Sequence, residues 1–225
     1  MYNTAILIID YNLYFHQTRV IMKKLLLLVV LFFGLIQNSF AESTAPLASP
    51  YEVIKVTGNS LFTKIADNQE ALKKFPELMR EIVEEELMPS VDYKYAAFKI
   101  LGKHLRKSTK EQRAKFVAAM RSYLVRTYAS ALTQYHNQKV MFEPGTKLKP
   151  KAKSASVDVK IVDAGKPDIK ITFQMRKNKK SQQWKAYDMV VEGISLVSSK
   201  QAEFNRKISD LGIDQVTLEL ASITK

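Results

Sequence analysis

The hydrophobic periodicity of this chain changes once, near His136, and this change constrains the fold more than any other feature. Before it, apolar residues recur at helical spacing, as they do from Phe116 to Tyr135. After it, apolar and polar residues alternate, and short basic or Gly/Pro turns separate the alternating segments. This alternation predicts a four-stranded antiparallel sheet with one apolar face. The predicted strands contain Val140–Phe142, Val157–Ile161, Ile169–Met175 and Trp184–Glu192.

Helices are predicted on both sides of the sheet in the sequence. Their order, helices then sheet then helices, indicates one α+β domain over residues 51–225. Glycine, proline and capping residues set the predicted limits. The predicted helices are a segment over 53–75 interrupted at Gly58, one between Pro76 and Pro89, one capped by Asp92, a long one begun by a Ser108–Glu111 capping box, and two at Lys200–Leu211 and Asp214–Ser222, with Gly212 between them.

Residues 22–41 have the pattern of a secretory signal peptide. Two lysines follow Met22, an apolar run extends over Leu25–Ile36, and the small residues Ser39 and Ala41 precede the predicted cleavage point. A transmembrane helix is the alternative, but it needs about 20 apolar residues. Residues 1–21 match no targeting segment and are expected to be a non-native upstream extension. Residues 42–50 are predicted to be a flexible tether.

The composition excludes several classes of chemistry. The chain has no cysteine and three histidines, so it has no disulfide framework, thiolate metal site, cysteine nucleophile or lipidated cysteine. It also lacks the glycine-rich phosphate loops and the zinc and serine-hydrolase motifs. We therefore expect no catalytic residue, no metal and no cofactor. The net charge of +13 favours anionic surfaces as partners, and a secreted protein is expected to meet membranes rather than nucleic acid.

One pair of carboxylates allows two hypotheses. Asp188 and Glu192 are four residues apart on a predicted strand, where they would face the same side as an acid/base pair. Alternatively, they are strand-end residues that bond to turn backbone, and the absence of a partner motif favours this structural role. His104 and His136 lie at predicted helix ends, where a cation complements the helix dipole.

Two lysine-rich stretches are candidates for docking to a partner or a membrane. One precedes the second strand and the other lies in a predicted hairpin turn. They either remain solvated or contact phosphate headgroups or an acidic partner. The candidate docking residues are Lys147, Lys149, Lys151, Lys153, Arg176, Lys177, Lys179 and Lys180.

Two separated motifs resemble the MlaC, or toluene-tolerance, family of periplasmic phospholipid-binding proteins. Together they cover most of Val91–Leu220 in the family's order. Leu105 departs from the family pattern, which usually has an aromatic there, and the lysines of 147–153 are local to this sequence. The first motif comprises Val91–Tyr93, Ile100–Gly102, Glu111–Arg113, Phe116 and Leu124–Ala129, and the second Trp184, Tyr187–Asp188, Val191–Val197 and Phe204.

The resemblance implies a monomeric periplasmic carrier without catalysis. Such a carrier passes phospholipid between an outer-membrane lipoprotein–porin complex and an inner-membrane ABC transporter complex, in a pathway that maintains outer-membrane lipid asymmetry. The implied fold is a curved sheet packed with N-terminal and C-terminal helices around an apolar cavity, related to the nuclear-transport-factor fold. Phospholipid would be the transported ligand rather than a cofactor.

The apolar sheet face and the facing helices would supply such a cavity. The alternatives are a periplasmic interaction or chaperone-like module with a basic docking surface and a solid core, and, third, an enzyme. The candidate lipid-binding residues are Val140, Phe142, Val157, Val159, Ile161, Ile169, Ile171, Phe173, Met175, Tyr187, Met189 and Val191 on the strands, and Phe98, Leu101, Tyr123, Leu124 and Tyr128 on the helices.

Overall fold

The computed structural model describes residues 49–135, 138–144, 148–149 and 151–223. The predicted upstream extension, the signal peptide and most of the tether lie outside the described residues, as do His136 and Lys147. The described residues belong to one compact unit, Pro46–Lys225.

Three α-helices begin the described chain: α1 (Pro50–Asp67), α2 (Gln69–Lys74) and α3 (Leu78–Ile82). The prediction of an interruption at Gly58 is wrong, because α1 continues through that residue. The prediction of a single helix between Pro76 and Pro89 is also wrong, because the type of helix changes along this segment. After α3 the chain forms a π-helix over Val83–Leu87 and then a 3₁₀ turn over Met88–Ser90.

Two capped helices follow, α4 (Tyr93–Leu101) and α5 (Lys110–Leu132). Asp92 caps α4 as predicted, because its side chain accepts a hydrogen bond from the backbone N–H of Tyr95. The capping box of α5 exists, but it is shifted by one residue from the predicted position. Thr109 and Gln112 exchange the two bonds between side chain and backbone.

The sheet contains five antiparallel strands in the order β1-β2-β3-β4-β5. The predicted α+β class and the four predicted strands are confirmed. The fifth strand was missed, since its two residues follow a tight turn and are too few for an alternation signal. The bounds are β1 (Lys139–Phe142), β2 (Ser154–Val162), β3 (Ile169–Lys177), β4 (Trp184–Val191) and β5 (Ile194–Ser195).

Two helices follow the sheet, α6 (Leu196–Leu211) and α7 (Ile213–Ser222). Gly212 separates them as predicted; its φ of 81° lies in the left-handed region that glycine adopts without strain. Helix α6 starts four residues earlier than predicted, directly after β5, with Ser195 as its N-cap.

Buried apolar residues of the described chain form three clusters. The first lies among α4 to α7 and contains Phe116 and Phe204. The second joins α1, α3, the π-helix and α5, and includes Ile65. The third joins α1 to the sheet and includes Ile54 and Met175. Because α1 contributes to the second and third clusters, it connects the sheet to the helical part of the fold, as α4 and α6 also do through their contacts with β4.

Candidate functional site

The strand register places the alternating apolar residues of β1 to β4 in rows across one face of the sheet. Val159 of β2 pairs with Ile171 of β3, which pairs in turn with Val191 of β4. Phe142 extends this row on β1, and Ile194 of β5 extends it on the opposite side. The predicted strands therefore share one apolar face.

Burial decreases along this face from one end of the strands to the other. At the end where β2 begins, Met175 is fully buried and Trp184 is 4% exposed. Towards the other end of β3, no residue from Ile169 to Gln174 is buried, and Ile169 is 44% exposed. In β4, likewise, none of the residues after Ala186 is buried.

We call the uncovered part of this face the open apolar face. It is defined by side chains that point to the same side of the sheet but are only half-buried or exposed. Its residues are Ile161, Ile169, Ile171, Phe173, Met189 and Val191.

Helix α1 covers the rest of this face of the sheet. Gly58 sets how closely α1 approaches strand β1. A Cβ atom on Gly58 would lie 2.5 Å from Cζ of Phe142, a distance that carbon atoms do not tolerate. Val53 and Ile54 of the same helix pack on the closed end of the face, as part of the third cluster. The open apolar face lies on the side that α1 leaves uncovered. The strand candidates that lie in or pack against this cluster are Val140, Phe142, Val157, Val159, Phe173 and Met175, so Phe173 lies at the border between the covered part and the open apolar face.

Most of the helical residues predicted to line a cavity lie elsewhere. Leu101 is fully buried in the first cluster, against which Phe98, Tyr123 and Leu124 also pack. These four residues pack in the helical core rather than on the open apolar face. The apolar residues in the first half of α5, such as Phe116, pack against α4, α6 and α7 rather than the sheet.

Tyr128 differs from these residues because it packs against the second cluster, beside α1. Burial raises the pKa of Tyr128 to about 12, and the negative charge of Asp188 on β4 contributes to the shift. Tyr128 therefore packs on the α1 side of α5 rather than in the first cluster.

The two carboxylates have the structural role that the sequence favoured. Asp188 accepts hydrogen bonds from the Ser195 hydroxyl at 2.6 Å and from the backbone N–H of Val197 at 2.9 Å, so it holds the start of α6. Glu192 has a positive φ of 48° and accepts from the backbone N–H of Lys170 at 2.6 Å. Each carboxylate accepts a backbone N–H bond, but Asp188 bonds to the start of α6 and Glu192 to strand β3, whereas the structural hypothesis expected turn backbone.

Tyr187 lies outside the apolar rows. The β4 register shifts beside Gln174 and Met175 of β3, and Tyr187 is the extra residue of this bulge. Its ring meets Tyr95 edge-on, with centroids 5.1 Å apart. Burial raises the pKa of Tyr187, and the nearby Tyr95 and Asp188 add to the shift. The expected alternation fails at Tyr187 because of the bulge: Ala186 before it and Met189 after it both lie in the apolar rows, although they are three residues apart.

Arg176 joins β3 to α4 instead of lying in a turn. Its guanidinium donates to Asp92 at 2.8 Å and lies 4.1 Å from the centre of the Tyr95 ring. Asp92 is also the N-cap of α4, so one carboxylate serves both contacts. The remaining described candidates for docking are surface lysines: Lys149, Lys151, Lys153, Lys179 and Lys180 are exposed, and Lys177 is half-buried.

Ile194 is a residue of the site that the sequence did not indicate. It pairs with Val191 at the edge of the open apolar face and is 62% exposed. A two-residue strand is too short to show alternation in the sequence. The position of Ile194 directly after Gly193 was the one available indication of a turn followed by a further strand.

A separate surface depression of about 360 Å³ lies between α3, the π-helix and α5. It shares no residue with the open apolar face, and its walls carry charges of both signs. Beside it, Arg121 makes a bidentate ion pair with Glu84. The residues that line the depression are Arg80, Glu81, Glu84, Glu85, Ser122, Val125 and Arg126.

Among the described residues, no group of three or more His, Cys, Asp or Glu side chains is placed to hold a metal ion. None of the helices in this part of the chain has both the length and the apolar character needed to cross a membrane.

The fold and the site define a small α+β protein whose sheet presents an apolar face that its helices cover only in part. The family model described as "MlaC protein" matches residues 55–222. The chain therefore belongs to the MlaC family, as its sequence motifs indicated.

Two relatives and one solved structure show the similarity in detail. The "Intermembrane phospholipid transport system binding protein MlaC" of Haemophilus influenzae is 34% identical over 173 residues, 76% of this chain and 80% of the relative. The "Toluene tolerance protein ttg2D" of Pseudomonas putida is 26% identical over 159 residues, 70% of this chain and 72% of that protein.

The solved structure is the phospholipid-binding protein from Ralstonia solanacearum in complex with a phospholipid. It superimposes with a TM-score of 0.69 over 79% of this chain and 97% of its own, at 21% sequence identity. At that identity, the likeness establishes the shared fold.

Proposed function

We propose that this protein binds phospholipid through its acyl chains and carries it through an aqueous compartment. The observation that carries the proposal is the open apolar face, which lies beside the part of the sheet that α1 covers. The names of the Haemophilus and Ralstonia proteins, which refer to phospholipid transport and binding, support the same conclusion.

Physical chemistry explains why a carrier is needed. Removing one methylene group from water contributes about 0.8 kcal/mol, so an acyl chain of about 16 carbons costs on the order of 12 kcal/mol to expose. A phospholipid therefore does not cross water unassisted at a useful rate. An apolar surface that closes around the chains removes most of this barrier.

In the proposed complex, the acyl chains lie on the open apolar face. Ile171, Phe173 and Met189 form its centre, Ile169 lies at its exposed rim, and the exposed Ile194 of β5 extends this rim beyond Val191. Val157 and Met175 close the far end beneath α1. The headgroup lies at the exposed rim, where water remains accessible.

The proposed location is the periplasm, after cleavage of a signal peptide between Ala41 and Glu42 and without residues 1–21. The protein acts there as a monomer and contributes to outer-membrane lipid asymmetry. Its partners are an outer-membrane lipoprotein–porin complex and an inner-membrane ABC transporter complex. It has no catalytic step and needs no cofactor. N-terminal sequencing of the secreted protein tests the cleavage; retention of residues 22–36 would contradict it.

Native mass spectrometry of the purified protein tests the carrier directly. The expected spectrum contains a species heavier by the mass of bound phospholipid, and chloroform–methanol extraction should recover that lipid intact. An empty protein that also fails to take up phospholipid from vesicles would favour the alternative, an interaction module with a solid core. Turnover of the lipid ester would indicate an enzyme.

A further inference from the structure

The antiparallel register brings the two lysine-rich stretches to the same end of the sheet. The backbone N–H of Lys177 donates to the carbonyl of Lys153 at 2.9 Å, so the end of β3 lies directly beside the start of β2. Lys185 of β4 belongs to the next row, opposite Arg176. We call this group the basic end. Its described lysines are Lys149, Lys151, Lys153, Lys177, Lys179, Lys180 and Lys185.

The positive charge of the basic end is not neutralised locally. Within the described chain, none of these lysines has a carboxylate within ion-pair distance. The segments 147–156 and 176–186 contain no acidic residue. Arg176, the other cation here, is already paired with Asp92. Elsewhere on or beside the sheet, Lys160 pairs with Asp168 and Lys166 with Asp163, whereas Lys139 and Lys170 have no ion pair within the described chain.

The form of the basic end favours an extended anionic surface over a peptide or a nucleic acid. Its lysines lie on turns and strand ends, beside polar residues such as Asn178 and Gln182. The one tryptophan, Trp184, is 4% exposed and offers no stacking surface. Lysine is a flexible point charge that suits diffuse attraction, whereas planar recognition of single groups favours arginine.

We infer that the basic end binds the anionic surface of a lipid bilayer. Basic residues near such a surface each contribute about fivefold to the binding constant at moderate salt, and the attraction falls off within a Debye length. The inference adds to the proposed carrier function, because a carrier must reach a bilayer. The inference can be tested separately from the carrier proposal, because binding to a bilayer surface and retention of phospholipid are measured in different experiments.

The geometry of the sheet gives this contact a defined orientation. The basic end and Ile169, on the rim of the open apolar face, lie at opposite ends of β3, which has nine residues. At about 3.3 Å per residue, they are separated by on the order of 25 Å. A protein held by its basic end therefore keeps its open apolar face uncovered, and accessible to a partner complex.

Co-sedimentation with vesicles tests the inference. The protein is expressed from the full-length gene, purified from the soluble fraction, and mixed with vesicles of equal parts phosphatidylglycerol and phosphatidylcholine, or of phosphatidylcholine alone. We expect binding to the anionic vesicles at about 0.05 M salt and its loss at about 0.5 M, where screening is strong. Absence of binding to the anionic vesicles at low salt would overturn the inference.

A pair of variants with equal charge change locates the contact. The first replaces Lys149, Lys153, Lys179 and Lys180 of the basic end with glutamine. The second does the same at four exposed lysines of the helical part, none of which has an ion pair there: Lys103, Lys107, Lys110 and Lys115.

The first variant should bind anionic vesicles at least about tenfold more weakly, and the second should remain within about twofold of wild type. Equal losses in both variants would show general charge attraction and contradict a site. A first variant with unchanged vesicle binding and weakened binding to a partner complex would assign the lysines to a protein surface instead. Both variants should retain co-purified phospholipid, and an empty wild-type protein would contradict the carrier proposal alone.

Discussion

Gly58 in helix α1 lies against the ring of Phe142 in strand β1, so closely that a Cβ atom on Gly58 would be 2.5 Å from Cζ of the ring. Glycine is unfavourable inside a helix by about 1 kcal/mol relative to alanine. Its presence mid-helix is explained by this contact, which sets the distance between α1 and the sheet. That distance determines which part of the apolar face is covered.

The contact predicts that the effect of Gly58→Ala on the free energy of unfolding depends on the residue at position 142. The substitution should destabilise the protein when Phe142 is present and stabilise it when the ring is removed. Gly58→Ala alone should destabilise the protein by about 1 kcal/mol, because the displaced ring outweighs the gain in helix propensity. In a Phe142→Ala background the ring is absent, so Gly58→Ala should stabilise by about 0.5–1 kcal/mol. Urea unfolding of the four proteins measures both effects. Additive free energies would show that the two residues do not contact each other.

Local features of this fold were predictable from the sequence. The change in period located the sheet, and Asp92 and Gly212 marked helix ends, because each signal depends on neighbouring residues alone. The role of Gly58 was not predictable, since the ring that contacts it comes from a distant strand. A glycine in a helix suggests an interruption unless its spatial neighbour is known.

The candidate site was predictable as a face but not in its extent. Alternation places Val159 and Ile171 on the same side of the sheet, yet it carries no information on which of them a helix will cover. The same limit applies to Arg176, which was assigned to a turn with its lysine neighbours. Its partner Asp92 lies 84 residues away and follows from the tertiary fold.

The ion pair between Asp92 and Arg176 should contribute to stability. The side chains are 13% and 28% exposed, so removing one leaves a poorly solvated charge. Arg176→Met is expected to lower the free energy of unfolding by about 2–3 kcal/mol. Asp92→Asn, which keeps an N-cap oxygen, should cost about 1–2 kcal/mol.

A double-mutant cycle separates this ion pair from general effects of substitution. The double variant should lose at least about 1 kcal/mol less than the sum of the two single variants. Lys180→Met, in the exposed turn, is the control and should remain within about 0.5 kcal/mol of wild type. A loss for Arg176→Met as small as that of the control would show that the pair has no structural role.

The raised pKa of Tyr128 predicts a loss of stability at alkaline pH. The unfolded chain releases this proton near pH 10, whereas the folded protein keeps it until about pH 12. Between these values the folded state binds one proton more, so the free energy of unfolding falls by about 1.4 kcal/mol per pH unit from this group. The contribution is fully present below pH 10 and lost as the pH approaches 12.

Tyr128→Phe should remove that part of the pH dependence. Urea unfolding at several pH values between 10 and 12 would show a shallower fall for the variant, and the two proteins should have parallel profiles below pH 10. Equal slopes above pH 10 would mean that the Tyr128 hydroxyl is solvated in the folded protein.

Val159 and Ile171 are paired neighbours on the same apolar face, and they provide the sharpest test of the proposed lipid site. Val159 is 5% exposed and packs in the cluster beneath α1, whereas Ile171 is half-buried on the open apolar face. Val159→Trp must overpack a filled region and should destabilise the delipidated protein by about 1–3 kcal/mol.

Ile171→Trp should change stability by less than about 1 kcal/mol. Its indole occupies space that an acyl chain would fill, so phospholipid retention should fall sharply. Both proteins must be delipidated before urea unfolding, because bound lipid itself stabilises the native state. If Ile171→Trp is as stable as wild type and also retains as much phospholipid, the acyl chains do not lie on the open apolar face.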